Sequence, residues 1–208
     1  MRTEEYKEAG MNRSEYDQKY EHTANQSRIA SAGHGTAELQ TENLTLRRYV
    51  PEDAEVLYKR LGSDPGMVQY SGWNPYATLD MAKQTVQRFI CSYEDSHSYS
   101  WVMDSDGTAV GTIGAYDCQN DQIEVGFSTV KEWQGRGFAT EALKAVLRYL
   151  TEKEGFSCVV AWCAEENTGS RRVLEKSGMR LAETLKGGLT VGSRVYDKRI
   201  YEYRKADH

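Results

Sequence analysis

Between residues 134 and 140 the chain reads Gln134-Gly135-Arg136-Gly137-Phe138-Ala139-Thr140, two glycines leading into a stretch with helical spacing. Glycines let a ligand approach the main chain, and the free N–H groups of a helix's first turn point toward an anion at its positive end. A phosphate or pyrophosphate fits that arrangement; a tight strand-to-helix turn without a ligand is the other reading of the same residues. Two phosphate-binding patterns are excluded, because no Lys followed by Ser or Thr closes a GxxxxGK motif and the full GxGxxG spacing is absent. Other chemistries have less to draw on. Cys91, Cys118, Cys158 and Cys163 show neither CxxC spacing nor a companion His cluster, so neither a zinc site nor a disulfide framework is expected and all four should be reduced. His22, His34, His97 and His208 are scattered and offer no metal site. Cys163 has no His near it in sequence to activate it, and reads as a buried strand residue rather than a nucleophile.

The elements that must position the glycine loop follow from periodicity. Leu44-Thr45-Leu46-Arg47-Arg48-Tyr49 alternates like a strand with one buried face. Pro51, Glu52 and Asp53 suit the first turn of a helix that Gly62 ends. A loop from Ser63 to Tyr76 carries Tyr70, Trp73 and Tyr76, and a second helix is expected from about Leu79 to Tyr93. Ser98–Met103, Ala109–Tyr116 and Gln122–Val130 read as an antiparallel meander joined by Asp-Gly and other short turns. From Gly137 to Glu152 the period becomes helical, with Phe138, Ala142, Leu143, Val146 and Leu150 on one face. A strand through Val159, Val160 and Trp162 follows, then a helix from about Ser170 to Lys176 that stops at Gly178. Strands Arg180–Lys186 and Val195–Tyr203 complete the series.

At 208 residues the chain suits one domain with one sizeable core. Its 26 Lys and Arg against 31 Asp and Glu are mixed along the sequence, leaving a net charge of −5 and no basic face for nucleic acid or anionic membrane. No apolar run approaches the length of a membrane span and the polar N-terminus lacks the apolar core of a secretory signal, so a cytoplasmic protein is expected. Residues 1–40 contain Ile29 and Leu39 as their only branched apolar residues, too few to offset the entropy of ordering them, and are expected to form a flexible extension ahead of a domain over 41–205.

Gln134-x-x-Gly137-x-Ala139 resembles the Gln/Arg-x-x-Gly-x-Gly/Ala pattern of the GNAT N-acetyltransferases, and stands where that family places it, after the fourth strand and opening the third helix. Glu124-Val125-Gly126-Phe127 resembles the family's acidic fourth strand, Trp133 precedes the loop as in many members, and Asn167-Thr168-Gly169-Ser170 leads into Glu175-Lys176-Ser177-Gly178-Met179 as in the branch containing the ribosomal-protein alanine acetyltransferases. The resemblance spans about Leu44 to Tyr203. It implies an α/β fold with a mixed, mostly antiparallel central sheet of about seven strands, splayed between the fourth and fifth and flanked by about four helices.

The resemblance also implies acetyl-CoA as co-substrate, and no metal. Its pantetheine arm would lie in the splay against fourth-strand backbone around Ser128 and Val130, its pyrophosphate on the loop from Gln134, Gly135 and Arg136 through Gly137, Phe138, Ala139 and Thr140, with Asn167 hydrogen-bonding the pantetheine. Asn167 as a simple loop or helix cap is the alternative. An attacking amine must be neutral, yet an α-amino group titrates at about 7.7–8.0 and lysine at about 10.4, so a base must take a proton. The thioester oxygen needs a preorganised donor, which a free strand N–H supplies, and the leaving thiolate benefits from an acid. By resemblance Glu124 is the base, through water, with an ordinary solvent-facing Glu as its alternative. Many relatives carry the acid on a Tyr seven residues past the Asn, but here that position is Leu174; Ser170 matches a hydroxyl of the ribosomal-protein branch, with helix capping as its alternative. Tyr70, Trp73 and Tyr76 would line the acceptor side unless they pack over the core. The expected acceptor is a protein or peptide α-amine; a polyamine or aminoglycoside-type amine, or a catalytically idle acyl-CoA-binding module, are the alternatives, and the chain is expected to work as a monomer or homodimer.

Overall fold

The computed structural model describes residues 33–62, 66, 69–70, 76–119 and 121–205. Residues 1–32 of the extension expected over 1–40, and Trp73, lie outside the described residues. Period-two stretches form strands β1 (Leu39–Gln40), β2 (Thr45–Arg47), β3 (Tyr99–Ser105), β4 (Thr108–Gln119), β5 (Gln122–Thr129), β6 (Cys158–Ala164), β7 (Arg180–Val191) and β8 (Arg194–Arg204). Helix α1 (Asp53–Val56) runs on as a π-helix from Leu57 to Gly62, followed by α2 (Leu79–Ser92), α3 (Phe138–Glu152) and α4 (Thr168–Lys176). The eight strands lie in the order β1-β2-β3-β4-β5-β6-β8-β7, antiparallel at every step except β5 to β6, which are parallel. The α/β architecture is the expected one, with β1 as an added edge strand, so that the strands anticipated as fourth and fifth are β5 and β6.

Each face of the sheet is covered for a reason visible in the pattern. Ile123 and Val125 of β5, with Val159 and Ala161 of β6, meet Leu143, Val146, Leu147 and Leu150 of α3 in one core. Val102 and Val130 meet Leu57, Leu61 and Val86 of the first two helices in a second, smaller core on the other face. Burying each such side chain contributes roughly 1.5–3 kcal/mol, which holds α3 rigidly under β5 and β6. The start of α1 is fixed by charge: the Arg47 guanidinium donates to both oxygens of buried Asp53 at 2.9 Å and to Asp104 at 2.9 Å, and Asp53 also accepts the Val50 N–H. Among the described residues no helix is long and apolar enough to cross a membrane.

Two boundaries differ from expectation. Residues 34–40 belong to the fold although they bury little apolar surface, because they pair with polar groups that the core would otherwise strand. The Thr36 hydroxyl donates to the Ser98 carbonyl at 2.7 Å and accepts the Ser100 N–H at 2.9 Å; Trp101 Nε1 donates to the Ala37 carbonyl at 2.6 Å and the Tyr149 hydroxyl to the Gly35 carbonyl at 2.7 Å. The His34 N–H reaches both oxygens of Glu154, a carboxyl only 1% exposed. An unpaired buried polar group costs about 1–3 kcal/mol, so these bonds order a segment that apolar burial alone would not. At the other end, Gly187-Gly188 does not end β7. It sits within a register shift between Leu185 and Leu189, with the Gly187 N–H on Asp197 Oδ1, and the hairpin continues to Val191.

Candidate active site

Strands β5 and β6 pair only through Gln122–Cys158, Ile123–Val159 and Glu124–Val160. Beyond that point β5 stays with β4 and β6 with β8, so the sheet opens after Glu124. The unpaired edge of β5 offers backbone groups to a ligand in the gap, but not those expected. The Val130 N–H donates to the Val110 carbonyl at 2.9 Å and its carbonyl accepts from Trp133 N–H at 2.8 Å, and the Ser128 carbonyl faces β4, 2.4 Å from where a side chain on Gly111 would begin. Because an antiparallel strand directs alternate residues to opposite neighbours, the free backbone groups in the gap are those of Phe127 and Thr129. Thr129 already lends its carbonyl to Gln134 Nε2 at 3.1 Å, which ties the glycine loop to the end of β5.

The loop itself matches its expected geometry. Gly135 and Gly137 have φ of +78° and +92°, conformations that other residues adopt only under strain, and a side chain at either would meet nothing within 4 Å. Gly137 is the N-cap of the 15-residue α3 and brings no side-chain acceptor, so the first-turn amides from Phe138 to Thr140 face outward with the positive end of the helix behind them. Arg136 lies over the Trp133 ring at 4.4 Å, adding a cation beside the loop. Gly137→Ala is expected to weaken acetyl-CoA binding about tenfold, because left-handed strain of roughly 1–2 kcal/mol displaces the amides. The melting temperature should fall by only about 2–4 °C per kcal/mol of that strain. Titration calorimetry beside a melting curve checks this, and an unchanged affinity would remove the loop from the phosphate site.

Glu124 occupies the last paired position before the gap, half-buried on the face covered elsewhere by α1 and α2. Trp162 Nε1 donates to its Oε1 at 2.7 Å, Tyr116 stands opposite it in the β4–β5 register, and Lys198 lies over the Trp162 ring at 4.7 Å. Burial pushes the Glu124 carboxyl above the ordinary carboxylate range, against the opposing pull of Trp162, Lys198 and Tyr116. Gly126 leaves room for the Tyr116 hydroxyl, which would stand 2.7 Å from a side chain there. A carboxyl hydrogen-bonded by the Trp162 indole, with its pKa raised by burial and an open strand edge beside it, is placed to act as a proton acceptor. Tyr116, Trp162 and Lys198 were not foreseen from sequence. Strand alternation alone puts Glu124 and Trp162 each on one face of its own strand, but only the register across three strands brings them together.

Past the gap, Asn167 is the N-cap of α4, its Oδ1 accepting the Ser170 N–H at 3.1 Å. Its capping alternative is therefore realised, which leaves Nδ2 and the second lone pair of Oδ1 for a ligand. The capping role is not filled by the Ser170 hydroxyl, which makes no hydrogen bond among the described residues. Leu174 is core, 1% exposed. Cys163 is buried and its thiol pushed up to about 11, chiefly by burial, so it is no thiolate at neutral pH. Tyr76 packs against the smaller core, while Tyr70 meets Tyr196 of β8 edge-on at 5.4 Å. No group of three or more metal-ligating side chains occurs among the described residues.

Known proteins resemble this chain in sequence and fold. The family model of the acetyltransferase (GNAT) domain matches residues 43–180. YoaA of Bacillus subtilis strain 168, an uncharacterized N-acetyltransferase by name, is 26% identical over 171 residues, covering 80% of this chain and 96% of its own. YdaF of the same organism, a putative ribosomal N-acetyltransferase by name, is 25% identical over 171 residues, 80% of this chain and 93% of its own. Among solved structures, the ribosomal L7/L12 α-N-protein acetyltransferase RimL, in complex with coenzyme A, superposes with a TM-score of 0.74 at 16% identity, over 81% of this chain and 98% of that one. With the family model covering the glycine loop, the opened strand pair and Glu124 together, the chain belongs to the GNAT family of acetyl-CoA-dependent N-acetyltransferases.

Proposed function

We propose that this enzyme acetylates the N-terminal α-amine of a protein or peptide by direct transfer from acetyl-CoA. The observation that carries the reading is Glu124, held by the Trp162 indole at the mouth of the β5–β6 gap, with the glycine loop beyond the far end of the same strand. The amides from Gly135 to Thr140 would hold the pyrophosphate, and the unpaired edge at Phe127 and Thr129 would hold the pantetheine. Glu124 takes a proton from the acceptor amine through water as nitrogen bonds to the thioester carbon. A free N–H of that strand edge stabilises the developing oxyanion. As the carbon–sulfur bond breaks, the Ser170 hydroxyl passes a proton from solvent to the departing thiolate, and Glu124 returns its own proton to solvent. The names of YdaF and RimL point to the same acceptor class.

The test incubates the full chain with acetyl-CoA and a panel of peptides with free N-termini, polyamines and aminoglycosides, and reads products by mass spectrometry. One acetyl group on peptide α-amines, with lysine side chains unmodified, is the expected result. Acetylation confined to the small amines would replace the peptide reading with the small-molecule one.

A further inference from the structure

Glu141 stands in the first turn of α3, directly after the amides assigned to the pyrophosphate. A free carboxylate there would repel bound phosphate, since like charges a few ångströms apart interact appreciably even at a protein surface. Helical side chains lean toward the N-terminus, and this one leans onto the turn between β1 and β2. That turn closes on itself: the Thr41 N–H donates to the Leu44 carbonyl at 2.9 Å, and the Leu44 N–H returns to Thr41 Oγ1 at 3.0 Å. Its remaining donors converge on Glu141. The Thr41 hydroxyl reaches Oε1 at 2.6 Å, the Asn43 N–H reaches the same oxygen at 2.7 Å, and Asn43 Nδ2 reaches Oε2 at 3.0 Å. Burial pushes the Glu141 carboxyl up, but these bonds outweigh it and bring it below its ordinary range. The turn is not a loose partner: Leu44 and Leu46 beside it are buried in the larger core, and Leu46 pairs with Met103 of β3.

We infer that Glu141 is a positioning residue for the cofactor: the Thr41–Asn43 turn grips its carboxylate, anchors the first turn of α3 to the sheet, and engages the negative charge that would otherwise oppose the phosphates. The link joins segments about 100 residues apart in the sequence. It gives a helix start without a side-chain cap, entered through two left-handed glycines, a polar tie to the sheet. The inference rests on the glycine loop being the acetyl-CoA phosphate site.

The test uses the full chain and acetyl-CoA. Glu141→Ala and Thr41→Val should each raise Kd and KM for acetyl-CoA by roughly tenfold, the worth of one charge-assisted hydrogen bond, with kcat at saturation within about twofold and the melting temperature lowered by only a few degrees. The double variant should lose little more than either single one, since both break one link. Asn43→Ala, outside the helix and the core, should shift KM in the same direction and keeps the inference testable if Thr41→Val folds poorly. Glu141→Gln separates grip from charge: it should bind less tightly than the parent, whereas a carboxylate acting only by repulsion would bind more tightly once neutralised, and that outcome overturns the inference. Losses confined to melting temperature, with Kd unmoved, overturn it as well. If the parent chain itself fails to bind acetyl-CoA, the phosphate-site reading falls first and takes the inference with it.

Discussion

Glu124→Gln should lower kcat/KM by roughly 10²–10⁴ at neutral pH, the usual worth of a positioned general base, while leaving acetyl-CoA affinity nearly intact. Gln keeps the acceptor oxygen that Trp162 Nε1 bonds at 2.7 Å, so the geometry of β5 and β6 should survive. The pH dependence gives the sharper signature. Because burial raises the Glu124 pKa, the base form is lost at a higher pH than for an ordinary carboxylate, and the parent's kcat/KM should fall as pH drops through that raised value. The Gln variant should lack this acidic limb. Its defect should shrink as pH rises, since more of the amine is then already neutral. Ser170→Ala should behave otherwise: its defect concerns thiolate departure, and raising the pH should not rescue it. Parental turnover in both variants across about pH 6–10 would remove both residues from proton transfer and leave water chains and backbone donors to do it.

What the sequence made legible is what local chemistry decides. The two glycines, the helical period beginning at Phe138 and the alternation through Ile123 and Val125 are each set within a few residues, and each holds in the structure. The backbone groups facing the gap were misassigned by one residue because register in a strand is a property of its neighbours. A shift of one exchanges Ser128 and Val130 for Phe127 and Thr129. The surroundings of Glu124 were hidden for the same reason, since Tyr116, Trp162 and Lys198 come from β4, β6 and β8. Asn167 was legible as either ligand or cap because the same side chain can serve both. The segment before β2 was misjudged because its order comes from polar pairing with distant core groups, which hydropathy does not register.

That segment carries the second large effect. Deleting residues 1–40 should lower the melting temperature by about 10 °C, whereas deleting residues 1–32 should move it by no more than about 2 °C. The shorter deletion keeps every contact described above; the longer one removes β1 and strips partners from the Ser98 carbonyl, the Ser100 N–H, the Trp101 indole and the Tyr149 hydroxyl. It also leaves Glu154 with the Tyr99 hydroxyl at 2.7 Å as its remaining described side-chain donor. Water can reach some of these groups once the cover is gone, which reduces the loss below the full penalty of about 1–3 kcal/mol for each buried unpaired group. A net loss of roughly 3–5 kcal/mol remains, and for a chain of this size each kcal/mol shifts the midpoint by about 2–4 °C. His34→Ala should do far less, because it keeps the backbone N–H that reaches both Glu154 oxygens and removes only a largely exposed ring whose Nδ1 lies 3.2 Å from Oε1. Thr36→Val, which keeps the shape and removes the hydroxyl that serves both Ser98 and Ser100, should reproduce a substantial part of the loss. Identical melting of the two truncations would show that the hydrogen bonds of residues 34–40 add nothing to the fold.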